Sequence, residues 1–260
     1  MDLNLKNKRI LITGGSKGIG KSIAEAFYKE KSKLTLIARN EKLVKKVINN
    51  FGGSKNDHHY FACDLNKKNN PKKIAKKILK TLGSHDVIIH NIGGGLGVND
   101  IFAPLEDWLK VWNFNVGISI EINNILIKNM IENKKNGKII YISSISSLNS
   151  DKSFKDHVGK AAYAASKSFL NSYMKCLAKS LAKNNILVNA VLPGAVINKG
   201  KYWDKMQKKY PNEVKKYLKS VYPIERFARP IEIASMVVFL ASELSSFTTG
   251  SLINIDGGST

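Results

Sequence analysis

The chain has 260 residues, and its 42 Lys and Arg against 20 Asp and Glu give a formal charge of +22. This length suits one large α/β domain and is short for two. No apolar run approaches membrane-spanning length, and the N-terminus lacks the apolar stretch of a signal peptide. We therefore expect a single cytoplasmic domain over residues 1–260, with no membrane partner.

The distribution of charge and cysteine limits the other partners. Lysine-rich stretches such as "KKNNPKKIAKK" and "KMQKKYPNEVKKYLK" lie far apart in the chain. This scatter is typical of a solvated surface, and it suits an anionic substrate better than nucleic acid. Cys63 and Cys176 have no spacing typical of a metal knuckle or a disulfide framework. We predict neither a metal site nor a nucleic-acid partner.

In chain order, apolar runs of strand length alternate with amphipathic segments. "RILIT", "KLTLIA", "HHYFAC" and "DVIIHN" come first, separated by segments such as "KSIAEAFYKE". Two long helices follow, near residues 105–131 and 161–182, and the strands "KIIYIS", "ILVNAVL" and "SLINID" complete the pattern. The alternation predicts an α/β fold, a doubly wound parallel sheet of about seven strands with helices on both faces.

Residues 196–225 break this pattern, being rich in Lys, Tyr and Trp between a strand and the last helix. An insertion at the carboxyl edge of a sheet favours a substrate lid. A peripheral pair of helices is the alternative, and both remain open here.

The stretch "TGGSKGIGKS" after the first strand fits three glycine-rich signatures. Gly15 to Ser22 fits a nucleotide phosphate loop, Gly14 to Gly18 fits the nucleophile elbow of a hydrolase, and Gly14, Gly18 and Gly20 fit a dinucleotide turn. The hydrolase lacks an ordered acid and histidine downstream, and the phosphate loop leaves the rest of the chain unexplained.

The dinucleotide interpretation needs a proton donor, and "AAYAASKSF" provides one. Tyr163 and Lys167 are four residues apart in a helical segment, so they share one face. A nearby ammonium lowers the pKa of a phenol, and we expect Lys167 to act on Tyr163 in this way.

With these motifs in this order, the sequence resembles the short-chain dehydrogenase/reductase family over essentially the whole chain. The matching elements are the loop from Thr13 to Gly20, "HNIGG" with Asn91 and Gly93, and Asn115 in "NFNVG". The later matching elements are Ser144, the pair Tyr163 and Lys167, "VLPGAV" and the C-terminal stretch from "RFARP" to "DGG". The resemblance implies a single-domain Rossmann fold and a reaction between a carbonyl and a secondary alcohol.

The resemblance also implies the site residues. Tyr163 would exchange the proton, Ser144 would hydrogen-bond the same oxygen, Lys167 would hold the nicotinamide ribose, and Asn115 would anchor a water relay. The residues implied to bind the cofactor are Gly14, Ser16, Lys17, Gly18, Ile19, Gly20, Arg39, Asp64, Leu65, Asn91, Gly93, Tyr163, Lys167, Pro193, Gly194 and Val196.

The second strand predicts which dinucleotide binds. It ends in Ala38 and Arg39, with no carboxylate for a ribose 2′-hydroxyl, and Lys17 offers a second cation. Because the guanidinium fork suits a phosphate, we predict NADP(H) over NAD(H).

Two features depart from the family pattern. The separation of 19 residues between Ser144 and Tyr163 is long, which leaves Ser146, Ser147 or Ser150 as alternative hydroxyls. Asn198 stands where the family often has Thr against the nicotinamide amide, and Asn makes similar hydrogen bonds.

The substrate stays open between two classes of carbonyl or alcohol. The chain is similar to 3-oxoacyl-acyl-carrier-protein reductases, whose acidic carrier would suit a positive surface, and to sugar-modifying reductases. Family analogy implies a homotetramer through the helices near 105–131 and 161–182. A non-catalytic dinucleotide-binding regulator is the alternative from another class. The aromatic lid and two inserted-loop residues favour a polar, anionic ligand; they are Tyr202, Trp203, Tyr210, Tyr217, Tyr222, His157 and Lys160.

Overall fold

A single seven-stranded sheet organises the computed structural model, which describes residues 2–148, 154 and 160–260. All of its strand pairs are parallel, in the order β3-β2-β1-β4-β5-β6-β7. This confirms the predicted fold class and strand number. The strands are β1 (Arg9–Thr13), β2 (Lys33–Ala38), β3 (His59–Ala62), β4 (Val87–His90), β5 (Gly137–Ile142), β6 (Ile186–Pro193) and β7 (Leu252–Ile255).

Helices cover both faces of the sheet. They are α1 (Gly18–Lys29), α2 (Glu41–Asn50), α3 (Asn70–Leu82), α4 (Leu105–Trp112), α5 (Ile118–Glu132), α6 (Ala161–Leu181), α7 (Tyr202–Lys209), α8 (Pro211–Val221) and α9 (Pro230–Ala241). Helices α1 and α9 pack together on one face, while α3, α5 and α6 lie on the other.

Alternation along the strands builds a hydrophobic core on each face. In β1, Ile10 and Ile12 belong to one cluster and Leu11 to the other, and all three are fully buried. Because successive side chains of a strand point to opposite faces, a strand covered on both sides is apolar throughout. This explains why "RILIT" has no polar alternation.

The order of the strands places the candidate site. The chain moves outward from β1 through β2 to β3, then crosses back so that β4 pairs with the other edge of β1. The loops after β1 and β4 therefore diverge, and they leave a crevice at the carboxyl ends of these strands. Ligands of open α/β sheets bind in such crevices.

The long helix predicted near residues 105–131 is interrupted. Helices α4 and α5 are joined by a π-helical turn, Asn113–Gly117, whose wider backbone breaks the regular hydrogen-bond pattern. Such turns occur frequently at functional sites. Helix α6 runs from Ala161 to Leu181, close to the predicted range.

Residues 196–225 form the helical pair α7 and α8 beside the carboxyl edge of the sheet. Val214 and Leu218 of α8 are buried in a third apolar cluster with Phe154 and Tyr222. Their packing anchors the segment against the body of the domain. Across the residues that the structure describes, no helix combines the length and apolar character needed to cross a membrane.

Candidate active site

The glycine loop after β1 is shaped by close backbone approach. Gly14 and Gly18 have φ of +73° and +55°, a region that side chains with a Cβ rarely adopt. A Cβ at Gly20 would collide with the Gly14 carbonyl oxygen and lie 2.5 Å from Asn91 Nδ2. The loop therefore brings bare backbone to the N-terminus of α1, where it fits the pyrophosphate of a dinucleotide.

Thr13 and Asn91 tie this loop to the end of β4. The Thr13 hydroxyl accepts a hydrogen bond from the Asn91 backbone N–H at 3.0 Å. In return, Asn91 Nδ2 donates to the carbonyl oxygens of Thr13 at 3.0 Å and Gly14 at 3.4 Å. The predicted cofactor residue Asn91 thus holds the shape of the loop. The sequence placed Thr13 in the cofactor loop but not among the cofactor-binding residues, although a hydroxyl in an otherwise apolar buried strand is a signal for a functional role.

The two cations predicted to select NADP(H) lie beside the crevice. Lys17 is the residue immediately before α1, and Arg39 follows the end of β2; both are exposed. Neither forms an ion pair with any described carboxylate. Both charges are therefore available to a ligand phosphate.

The remaining predicted cofactor residues lie along the carboxyl edge. Asp64 and Leu65 follow β3, where Leu65 is buried and Asp64 accepts a hydrogen bond from the Asn66 backbone N–H at 3.1 Å. Pro193 ends β6, and the Gly194 N–H donates to the Ile255 carbonyl oxygen at 3.0 Å. The half-buried Ser16 and Ile19 lie in the glycine loop and α1, and Val196 follows Gly194.

Asn198 lies over the glycine loop. A Cβ at Gly18 would be 3.0 Å from Asn198 Oδ1, so the Asn198 side chain lies directly against the loop. The sequence-based expectation placed this side chain against the nicotinamide amide. Here its contact is with the loop that fits the pyrophosphate.

The four predicted catalytic residues converge at the carboxyl end of β5. Ser144 comes two residues after that strand, Tyr163 is in the first turn of α6, Lys167 is one turn further, and Asn115 is in the π-helical turn. Tyr163 and Ser144 are hydrogen-bonded through their side chains. Lys167 Nζ lies 5.9 Å from the centroid of the Tyr163 ring.

Backbone carbonyls orient two buried members of this group, Lys167 and Asn115. Lys167 is 2% exposed, and its Nζ donates to the Ile142 carbonyl oxygen at 2.8 Å. Asn115 Nδ2 donates to the carbonyl oxygens of Val111 at 2.8 Å and Gly94 at 2.9 Å, while its Oδ1 accepts from the Gly94 N–H at 3.0 Å. The sequence alone does not reveal such contacts, because any residue supplies a carbonyl.

Gly93 allows these side chains to approach one another. A Cβ at this position would lie 2.7 Å from Asn115 Oδ1 and 2.8 Å from Lys167 Nζ. Such distances are closer than real Cβ contacts. The lack of a side chain at Gly93 therefore leaves room for the Lys167 ammonium, and its role beside the cofactor stays a prediction.

Burial dominates the titration of the Tyr163 and Lys167 pair. It raises the pKa of Tyr163, against a smaller lowering by the hydrogen bond with Ser144. It lowers the pKa of Lys167 to about 7 because a charged ammonium loses its hydration there. The expectation that Lys167 lowers the pKa of Tyr163 differs from this geometry, in which the ammonium is bonded to the Ile142 carbonyl. The phenol is accordingly protonated at neutral pH and can donate a proton.

The alternative serines have structural bonds of their own. The Ser146 N–H donates to Ser144 Oγ at 3.1 Å, and the two hydroxyls are 3.2 Å apart. Ser147 Oγ donates to the Ser144 carbonyl oxygen at 2.6 Å and accepts from Asn171 Nδ2 at 2.7 Å. Ser144 is the one bonded to Tyr163. Ser150 and His157 lie outside the described residues.

A cavity of about 730 Å³ opens above this group. Its volume is within the range of small-molecule sites. Trp108 borders it, whereas Trp112 packs edge-on against Phe169 with ring centroids 5.5 Å apart. Its described lining comprises Ile101, Trp108, Ser144, Ile145, Ser146, Ser147, Leu148, Phe154, Lys160, Ala161, Tyr163, Ala164, Ala165, Ser168, Gly194, Ala195, Trp203, Tyr217, Val221, Tyr222, Ser259 and Thr260.

The cysteines and the metal-ligating side chains are dispersed. Cys63 and Cys176 are free thiols. Within residues 2–148, 154 and 160–260, no three His, Cys, Asp or Glu side chains are grouped as a metal site requires.

Comparisons with known proteins match nearly the whole chain and its fold. A family model described as Enoyl-(Acyl carrier protein) reductase matches residues 14–260. The chain is 29% identical over 256 residues to the 3-oxoacyl-[acyl-carrier-protein] reductase FabG of Thermotoga maritima, covering 98% of this chain and 99% of that protein. It is 30% identical over 269 residues to the L-rhamnose 1-dehydrogenase (NADP(+)) of Thermoplasma acidophilum, covering 98% and 97%. Its structure is similar to L-sorbose reductase from Gluconobacter frateurii complexed with NADPH and L-sorbose, with a TM-score of 0.88, 27% identity, and 100% and 98% coverage.

Proposed function

The chain belongs to the short-chain dehydrogenase/reductase family, whose enzymes act on CH–OH and carbonyl groups. We propose that it interconverts a ketone and a secondary alcohol with NADP(H), and that Tyr163 is the general acid and base. The observation that carries the proposal is the convergence of Tyr163, Ser144, Lys167 and Asn115 below one cavity, beside the glycine loop.

In the direction of reduction, Tyr163 gives its phenolic proton to the carbonyl oxygen, which becomes the hydroxyl of the alcohol. Ser144 donates a hydrogen bond to the same oxygen and stabilises its developing negative charge. When bound, the dinucleotide supplies the hydride for the carbonyl carbon and accepts one in oxidation. In oxidation, Tyr163 takes the hydroxyl proton instead.

Lys167 and Asn115 support this proton transfer. We assign the nicotinamide ribose to Lys167, whose ammonium is already oriented by the Ile142 carbonyl oxygen. Asn115 holds Gly94 through two hydrogen bonds, and we assign it to the water relay that returns the proton to Tyr163.

The glycine positions fit a dinucleotide, since Gly14, Gly18 and Gly20 leave a cradle that Cβ atoms would fill. Our preference for NADP(H) rests on Lys17 and Arg39, two cations with no ion pair to a described carboxylate, and on the lack of a carboxylate directly after β2. Two cations favour a 2′-phosphate over a 2′-hydroxyl.

Two substrate classes follow from the relatives. A 3-oxoacyl-acyl-carrier-protein reductase is supported by the similarity to the Thermotoga maritima protein and by the charge of +22. A sugar-modifying dehydrogenase is supported by the similarity to L-rhamnose 1-dehydrogenase and L-sorbose reductase. The hydroxyl and aromatic lining of the cavity favours the second class.

We further propose one cytoplasmic catalytic domain over residues 1–260, with residues 196–225 as the lid, assembled as a homotetramer. Exposed apolar side chains on α4 and α6 support the assembly, since Leu105, Leu109 and Phe169 are 68%, 55% and 47% exposed. Sedimentation of the protein is expected to give four chains, and a Leu109→Glu variant is expected to dissociate. A wild-type monomer would rule out this part of the proposal.

The activity is tested by following NADPH and NADH oxidation with a panel of ketoacyl thioesters and keto-sugars. We expect NADPH to be consumed with one of the two classes, at a kcat/KM above that with NADH. A protein that binds NADPH but oxidises it with neither class would be the non-catalytic regulator.

A further inference from the structure

The described lining of the cavity contains one charged side chain. This side chain is that of Lys160. It immediately precedes α6, three residues before Tyr163 in the chain, and borders the same space as Tyr163 and Ser144. A charge in this position faces the substrate rather than the cofactor loop.

This cation has no carboxylate partner in the described part of the chain. Its Nζ lies 5.1 Å from the centroid of the Tyr202 ring. Although the residue is exposed, the atoms packed around it remove enough water to lower the pKa of its ammonium. A cation that is partly dehydrated and unpaired gains from an anionic ligand.

The rest of the lining suits a hydroxylated carbon chain. Ser144 and Ser146 bring hydroxyls to the cavity, whereas the Ser147 and Ser168 hydroxyls donate to backbone carbonyl oxygens. Another part of the lining is apolar: the Trp203 and Tyr217 rings stack with centroids 5.1 Å apart and an angle of 20° between their planes. Together the two rings form a flat apolar wall. Hydroxyls next to aromatic faces match the alternating polar and C–H edges of a polyol.

The lid adds a long-range contribution of the same sign. Residues 196–225 contain eight lysines against Asp204, Glu213 and Glu225. A positive field at the entrance of a cleft raises the local concentration of anions. The lysines are Lys199, Lys201, Lys205, Lys208, Lys209, Lys215, Lys216 and Lys219.

We propose that Lys160 binds a carboxylate or phosphate on the substrate, so that the enzyme acts on small hydroxylated ketones that carry an anionic group, in preference to their neutral counterparts. This rests on the proposed function and narrows its sugar-like class to anionic polyols. Lys160 thereby determines specificity, while Tyr163 carries the proton transfer.

The test uses substrates that differ only in the charged group. 5-Keto-D-gluconate and L-sorbose differ by a carboxylate in place of a hydroxymethyl group, and D-fructose 6-phosphate and D-fructose differ by the phosphate. We expect the wild type to favour the anionic member of one pair by about tenfold to a hundredfold in kcat/KM, as one charged hydrogen bond supplies. The substrate pair that shows this preference identifies whether the enzyme recognises a carboxylate or a phosphate.

The variants assign this preference to one side chain. Lys160→Met is expected to abolish it through KM with kcat retained, and Lys160→Arg to retain part of it. Lys76→Met, on the exposed surface of α3, removes the same charge away from the cavity and from residues 196–225 and is the matched control. An unchanged preference in Lys160→Met, or an equal loss for charged and neutral members, would overturn the proposal.

A binding measurement separates this proposal from the activity. In calorimetry with the NADP-loaded Tyr163→Phe variant, D-gluconate is compared with D-glucitol, and D-glucitol 6-phosphate with D-glucitol. Tighter binding of an anion that depends on Lys160 supports the proposal even where no ketone oxidises NADPH. Equal or undetectable binding of the anions contradicts it, whatever the activity.

Discussion

The two sides of the crevice are built on different physical principles. On the cofactor side, Gly14, Gly20 and Gly93 lie where a Cβ meets backbone or a buried polar group, and Thr13 and Asn91 bond the loop to β4. On the substrate side, the wall consists of side chains such as Trp203, Tyr217 and Lys160 on α7, α8 and the entrance to α6. Backbone geometry tolerates few substitutions, whereas side chains that line a cavity are exchangeable. We therefore expect the cofactor side to be common to the family, and we assign substrate specificity to the side chains of the substrate side.

After Tyr163 itself, the largest effect is expected at Ser144, where the two sides meet. Ser144→Ala removes the hydrogen bond that we assign to the substrate oxygen, and kcat is expected to fall by about 10²–10³. Steady-state NADPH oxidation measures it. Ser146→Ala and Ser147→Ala are the matched controls, because their hydroxyls bond to Ser144 and Asn171 rather than to Tyr163, and each is expected to lose less than about tenfold. A larger loss of kcat in either control variant would assign the hydrogen bond to the substrate oxygen to Ser146 or Ser147 instead of Ser144.

The rigidity of the cofactor side is tested at Gly20. Gly20→Ala places a methyl group against the Gly14 carbonyl oxygen and the Asn91 amide, so unfolding free energy is expected to fall by about 1–3 kcal/mol, with weaker NADPH binding. Urea denaturation and fluorescence titration measure the two quantities. Gly95→Ala is the control, since its Cβ meets only Tyr163 Cβ at 3.8 Å. Equal stability of the two variants would contradict the role given to close approach.

The burial of the Lys167 ammonium makes the free energy of unfolding depend on pH. An unfolded lysine titrates near pH 10.4, but burial lowers the pKa of Lys167 to about 7 in the folded protein. Between these values the unfolded chain binds a proton that the folded chain lacks, so stability rises with pH. Relative to Lys167→Met, the wild type is expected to gain about 2 kcal/mol between pH 7 and 9. Urea denaturation at both pH values tests this, and parallel pH profiles would contradict it.

The smallest effect is expected at the exposed cation Arg39. Arg39→Ala is expected to raise the Kd of NADPH by about tenfold and to leave that of NADH nearly unchanged, because only NADPH carries the 2′-phosphate. Fluorescence titration with both dinucleotides measures this ratio. Lys29→Ala, at the far end of α1, is the control for loss of positive charge. A parallel change for NADPH and NADH would remove Arg39 from cofactor selection.

The contrast between backbone geometry and side-chain contacts also explains which features could be predicted from the sequence. Strand runs buried on both faces and glycines with a structural requirement are local signals, so the parallel sheet and the cradle at Gly14, Gly18 and Gly20 were predictable. The π-helical turn at Asn113–Gly117 was not, because a helix with one wider turn has nearly the same apolar period. The direction of the Tyr163 pKa also required the structure, since it depends on burial and on Lys167 bonding a carbonyl oxygen rather than the phenol.

The central claim is that Tyr163 supplies the proton in an NADP(H)-dependent reduction, and Tyr163→Phe tests it most directly. Phenylalanine keeps the ring beside Lys167 and removes only the hydroxyl. NADPH is first titrated by fluorescence, and its oxidation is then followed with the carbonyl substrate that the wild type consumes. We expect the Kd of NADPH to stay within about twofold while kcat falls by about 10²–10⁴. A variant that binds NADPH and turns over at the wild-type rate would contradict the mechanism.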